Sequence, residues 1–196
     1  MHLLPALTDF LARYPDLKVD LKLSDTIVDL VEVEFDIDLR NSELKDSTLI
    51  PRKLAADNRI LCASPAYLAK YGEPGSPADL KFHQCITLMG LDNWGFHSAK
   101  GPIKIKAKGH FRTDNGEAIR DAYINGLGIT IGSKWSVYQH LAQGELIEIL
   151  KNHPLVSNTA IWAVYPSSQL LAPKVRAFID YFMMYFGSRP YREQVP

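Results

Sequence analysis

Net charge is the first thing this sequence lacks: 22 Lys and Arg offset 22 Asp and Glu. A sum of zero supplies no overall field for a nucleic acid or an anionic membrane surface, which counts against nucleic-acid binding by this chain itself but not by a partner domain. Cysteine is also scarce, with two residues in 196, Cys62 and Cys85. Two thiols build no disulfide framework, and no Cys/His spacing has the form of a zinc site. Both read as buried free thiols. No apolar run nears the roughly 18 residues that cross a bilayer, so no membrane partner is expected. The opening MHLLPALTDFLARYPDL is broken by Asp9 and Arg13 at helical spacing, unlike a signal peptide, which makes the cytoplasm the expected compartment. Internal repeats and low-complexity tracts are missing. So are the GxSxG elbow, the P-loop and HExxH. The six histidines, at positions 2, 83, 97, 110, 140 and 153, are scattered. His83 can meet Cys62 or an acid only through the fold. No catalytic residue, metal or cofactor is expected.

What is present is an ordinary globular composition, 46% apolar and 22% charged, in a chain long enough for one large domain or two lobes. Leu4, Leu7, Phe10, Leu11 and Tyr14 share one helical face that Pro15 ends, with Pro5 tolerated in the first turn. LKVDLKL (17–23) alternates like a strand. Thr26 and Asp29 form a capping box for a helix reaching about Val33, and FDIDLR (35–40) reads as another strand. Helix, strand, helix, strand implies a parallel sheet with helical crossovers. Further on, 49–54 and 59–63 read as strands, and 65–71 as a short helix stopped by Gly72. Glu73 to Leu80 is a turn-rich stretch, and several short strands follow between Cys85 and Thr113. DNGEAIRDAYINGLG opens a helix at Asp114 or Asn115 and closes it at Gly126. Residues 129–131, 146–150 and 159–165 read as strands, 134–142 and 173–186 as helices.

The stretch NRILCASPAY (58–67) is the sharpest punctuation in the chain. Pro65 denies Ser64 the helical region and offers no N–H, so the strand must stop there. The ends of the chain carry βα units while the middle carries strands and helices of its own. This pattern suggests one lobe inserted into another, with crossings at Ser64 and at Tyr165-Pro166. Residues 1–63 and 166–196 then form lobe I, and 64–165 form lobe II. Clefts between lobes are favoured ligand sites.

NRILCASPAYLAKYGEPGSPADLKFHQCI resembles a stretch of the effector-binding domain of LysR-type transcriptional regulators. So do PALTDFLARYPDLKVDLKLSDTIVDLVEVEFDIDLR, GLGITI with Trp135 after it, and AVYPSSQLLAPKVRAFIDYF. Together they cover nearly the whole chain in the family's order. The resemblance implies an α/β, two-lobed, type 2 periplasmic-binding-protein-like fold: two Rossmann-like lobes joined by two crossings. It also implies a small effector held between the lobes and a helix-turn-helix domain ahead of these residues, through which alone DNA is bound. The implied homodimer packs lobe I of one copy on lobe II of the other, with the helices at 26–33 and about 119–124 as partners. Family members place a strand before the first helix, and here the sequence starts after it. The tail SRPYREQVP or a neighbouring chain is an expected filler of that slot. The rivals are a solute-binding protein for transport and a cleft enzyme on the same fold.

Candidate effector contacts follow from chemistry and from the loops that the resemblance places at the cleft. Three helix starts offer N–H groups to an anion, Ser24-Asp25-Thr26, Asp114-Asn115-Gly116 and Ser133-Lys134, against simple capping as the alternative. Arg40 can grip a carboxylate with two parallel bonds, or anchor Asp38. Arg40 and the helix starts favour a small organic acid. Cys62, Ala63 and Ser64 are small residues at the first crossing. Gly126 and Gly128 serve backbone geometry first and ligand access second. Trp94, with Phe96, forms an aromatic wall or part of the core.

Overall fold

The computed structural model describes residues 3–25, 35–43, 49–166 and 171–188. In chain order the elements are α1 (Leu3–Arg13), β1 (Asp38–Ser42), β2 (Leu49–Ala56), β3 (Arg59–Ala63) and α2 (Pro65–Tyr71). A 3-10 turn (Pro77–Phe82), β4 (Thr87–Leu88), β5 (Asn93–Phe96), β6 (Ile103–Lys106), β7 (Arg112–Thr113) and α3 (Gly116–Ile124) follow. The chain continues through β8 (Thr130–Ser133), α4 (Lys134–Ala142), β9 (Ile147–Ile149), β10 (Ala160–Pro166) and α5 (Pro173–Ser188). These elements form two compact units, Met1–Asp57 with Asn158–Pro196, and Asn58–Ser157.

The crossings are therefore at 57/58 and 157/158, not at Ser64 and Tyr165-Pro166. Ser64 is a helix cap inside the second unit. β10 stays in the first unit's sheet along its whole length, and the Asp57 N–H donates to the Thr159 carbonyl (3.4 Å) where that sheet ends. The first unit carries the sheet β1-β10-β2, with both ladders antiparallel. The parallel sheet expected from the first forty residues is not what forms among the described residues. β10 returns from the second unit and pairs antiparallel with β1 on one side and β2 on the other. The alternating stretch 17–23 joins no ladder among the described residues. Pro51 is accommodated because β2 is an edge strand. The expected helix over 26–33, its cap Thr26, and the tail beyond Ser188 lie outside the described residues.

α5 packs on β2 and on α1. Phe10 of α1 sits against Phe178, Tyr181 and Phe182, with ring centroids 5.4, 5.2 and 6.0 Å away. Burial of each such ring contributes about 1.5–3 kcal/mol. The helical spacing of Ala6, Leu7 and Phe10 is what aims all three inward.

The second unit is organised around β3, flanked by β8 and β9 with both ladders antiparallel. Its sequence RILCA is apolar almost throughout because both faces are buried. Leu61 and Ala63 enter one core with Trp94, Phe96, Ile129 and Ile149. Ile60 and Cys62 enter the other with Ile119, Tyr123, Val137 and Leu146. Trp94 is thus core, and the aromatic wall is not formed. β5 and β6 make an antiparallel hairpin, and β4 pairs with β7 in parallel.

Candidate functional site

In the first unit, Arg40 and Asp38 are two residues apart on β1 and share a face. The Arg40 Nε donates to the Asp38 carboxylate at 2.6 Å, with both side chains largely covered. The structural pairing that the sequence allowed is therefore present. Directly across the ladder from Arg40 is Trp162 of β10, whose indole N–H donates to the Ser42 carbonyl (3.2 Å). The arrangement places an oriented cation beside an indole on one sheet face, and such a guanidinium suits a planar carboxylate. Ser24 and Asp25 are exposed and lie in no helix or strand.

In the second unit the candidates separate to the two ends of β3. At its C-terminal end, Cys62 and Ala63 are fully buried. Ser64 caps α2: its hydroxyl accepts the Tyr67 N–H at 3.3 Å, and Pro65 occupies the first helical position. The strand breaks off here to start a helix, not to leave the unit. Gly126 (φ +78°) closes α3 through two bonds, its own N–H to the Tyr123 carbonyl and the Leu127 N–H to the Ala122 carbonyl. A Cβ on Gly126 would sit 3.3 Å from the Ser64 hydroxyl, and one on Gly128 would strike the Gln84 carbonyl. These glycines serve close backbone packing.

A polar cluster that residue types did not announce lies at the same end. The Gln84 N–H donates to the Tyr67 hydroxyl oxygen (2.9 Å), and that hydroxyl also meets His83 Nδ1 (3.2 Å). His83 therefore pairs with Tyr67, not with Cys62. Desolvation holds the His83 imidazole below its usual range against the opposing charge of Asp79. Burial likewise pushes the Tyr67 phenol up. Burial also raises Cys62 to about 12, helped by the charge of Glu148, and Cys85 to about 11. Neither thiol has nucleophilic character at neutral pH.

At the N-terminal end of β3, Arg59 pairs with Ser133 in the ladder, and the Lys134 N–H donates to the Asn58 carbonyl (2.8 Å). Ser133 precedes α4, yet its hydroxyl makes no capping bond. Asn115 behaves as a plain cap, accepting the Ala118 N–H at 2.8 Å on an exposed surface. No described group of three or more His, Cys, Asp or Glu could hold a metal ion. No described helix is long and apolar enough to cross a membrane.

The LysR substrate binding domain family matches residues 1–186. The chain is 34% identical over 187 residues to the HTH-type transcriptional regulator DmlR of Escherichia coli, covering 93% of this chain and 60% of that protein. It is 35% identical over 193 residues to the HTH-type transcriptional regulator CrgA of Neisseria meningitidis, covering 96% of this chain and 64% of that one. The chain thus spans about three-fifths of the length of these relatives. Among solved structures, the CrgA regulatory domain superposes with a TM-score of 0.84 at 33% identity, covering 94% of this chain and 91% of that one. Full-length AphB of Vibrio cholerae gives 0.80 at 29%, covering 94% and 63%. These neighbours share the two-lobed type 2 periplasmic-binding-protein-like fold.

Proposed function

The chain belongs to the LysR substrate-binding domain family, and from that premise we propose that it is the effector-sensing domain of a LysR-type transcriptional regulator. It binds a small organic acid between its two units, and the ligand favours one arrangement of those units over others. In a homodimer pairing unit one of each copy with unit two of the other, that choice resets the spacing of attached DNA-binding domains. The domain works in the cytoplasm and carries out no chemistry of its own. The observation that carries the reading is the family match running through both compact units, which are joined by two crossings.

Arg40, oriented by Asp38, is the residue we assign to the effector carboxylate. The reading of a transport protein or cleft enzyme is less favoured because the relatives are named as transcriptional regulators. Titration of the chain with a panel of aliphatic and aromatic acids, followed by melting temperature, tests the proposal. A saturable rise is expected for one class, since a ligand held by the native state stabilises it by RT ln(1 + [L]/Kd), about 2.7 kcal/mol at a hundredfold excess over Kd. Arg40→Gln should then weaken that ligand at least tenfold, as expected for a lost charge-assisted pair. Saturable binding of neutral or cationic compounds, with no response to acids, would refute the organic-acid assignment. Turnover of the bound compound would refute the regulatory one.

A further inference from the structure

We propose that the outward face of residues 104–112 in the second unit is a docking surface for the phosphate backbone of double-stranded nucleic acid. The sequence there is KIKAKGHFR, with a basic side chain at every second position: Lys104, Lys106, Lys108, His110 and Arg112. All five are exposed. The intervening residues turn inward. Ile105 packs on one core, Ala107 is buried in it, and Phe111 packs on the other. A Cβ on Gly109 would strike the Cys85 backbone, which fixes the same parity at that position. Period two holds through β6 to Lys108, where the chain is tied down by the Ala107 N–H to the Asp92 carbonyl (2.8 Å) and the Cys85 N–H to the Lys108 carbonyl (2.9 Å), and a bend follows at His110 before β7.

Alternate residues of extended chain are about 6.6 Å apart, so Lys104, Lys106 and Lys108 span about 13 Å before the bend at His110. A duplex carries one charge per about 1.7 Å of its axis, or about eight phosphates over that length. Asp92 offsets one of the four Lys and Arg charges, bonding Lys106 Nζ at 2.8 Å, and three remain in excess. The zero sum for the whole chain conceals this, because residues 100–112 hold five Lys or Arg and no acid.

Two features favour a polyanion over an acidic protein. The ladder partners of Lys104 and Lys106 are Gly95 and Asn93, so no aromatic or apolar side chain stands directly across from either lysine. Lysines also protect edge strands from unwanted pairing. That role accounts for Lys104 and Lys106 on β6, but not for Lys108, His110 and Arg112 beyond it. The surface is independent of the effector reading.

The test is fluorescence anisotropy of this chain with a labelled duplex of about 25 base pairs and arbitrary sequence, from about 20 to 200 mM KCl, with polyglutamate as the acidic-protein probe. The duplex should bind at low salt with a log K against log [salt] slope near −3, at about −0.9 per phosphate neutralised. Lys104→Glu with Lys108→Glu should weaken binding at least tenfold and flatten the slope by about 2. The matched pair Lys70→Glu with Lys151→Glu, exposed elsewhere, should leave most of the affinity. Absence of binding at about 20 mM salt, equal losses in the two double variants, or polyglutamate competing as tightly as the duplex would each overturn the proposal. The last of these would assign the face to an acidic protein.

Discussion

Tyr67→Phe isolates one oxygen atom. The Tyr67 ring is 1% exposed and packs on Tyr71 with centroids 4.8 Å apart, and phenylalanine keeps that packing. What disappears is the acceptor for the Gln84 N–H and the partner of His83 Nδ1. Gln84 takes one lone pair of the phenol oxygen, which leaves the phenol proton free to be donated to Nδ1 when His83 is neutral with its own proton on Nε2. Orphaning a buried donor costs about 1–3 kcal/mol. In a domain of this size each kcal/mol shifts the melting midpoint by about 2–4 °C, so a drop of about 4–8 °C follows for a loss near 2 kcal/mol.

The same cluster has a pH signature. The folded His83 pKa lies below its ordinary value, so as pH falls from about 6.5 toward the folded value the unfolded chain takes up the proton first. Stability contributed by neutral His83 is complete above that window and is lost as the solution is acidified through it. His83→Gln should remove this part of the acid destabilisation, and Tyr67→Phe should shrink it. Melting curves between pH 5 and about pH 8 read both effects. A Tyr67→Phe midpoint within about 1 °C of the parent, with an unchanged pH slope, would refute the assigned bonding.

Three further tests probe the second unit's packing, the helix α5 and the buried thiols. Gly128→Ala puts a methyl onto the Gln84 carbonyl that accepts the Ile129 N–H (2.8 Å), so the strand ends must separate at a cost of at least about 2–3 kcal/mol. Gly187→Ala in α5 meets nothing within 4 Å and should stabilise by about 0.5 kcal/mol, and urea titration measures the two opposite signs. Cys62 and Cys85, both buried and raised by burial, should resist a thiol reagent at about pH 8 in the native state and react on unfolding. Rapid native labelling would refute their placement.

The parts of the fold legible in the sequence are those set by neighbours a few residues away. Pro65 after Ser64, Asn115 before α3 and Gly126 after it each fix a helix end through their own backbone chemistry, and all three ends are where the residues put them. The strand over 59–63 was likewise legible, and the structure buries it on both faces. Ladder direction was not legible, because it depends on β10 arriving beside β1 from more than a hundred residues away. The lobe boundary was misplaced for a related reason. Ala55-Ala56-Asp57-Asn58 reads the same whether it turns a hairpin or carries the chain from one unit to the next, whereas Ser64-Pro65 is conspicuous for a purely local purpose.

The candidate site was chosen by residue type, and type does not report which end of a strand a residue occupies. β3 is five residues long, so its ends are about 13 Å apart. Cys62, Ala63 and Ser64 sit at the far end, where Gly126 and Gly128 also approach, and their polar groups serve a helix cap and strand packing. Ser133 sits opposite Arg59 at the other end of the strand, at the start of α4. A ligand of a few carbon atoms cannot reach both ends at once. Substitutions at Ser64 or Gly126 would therefore be felt as lost stability before any change in affinity.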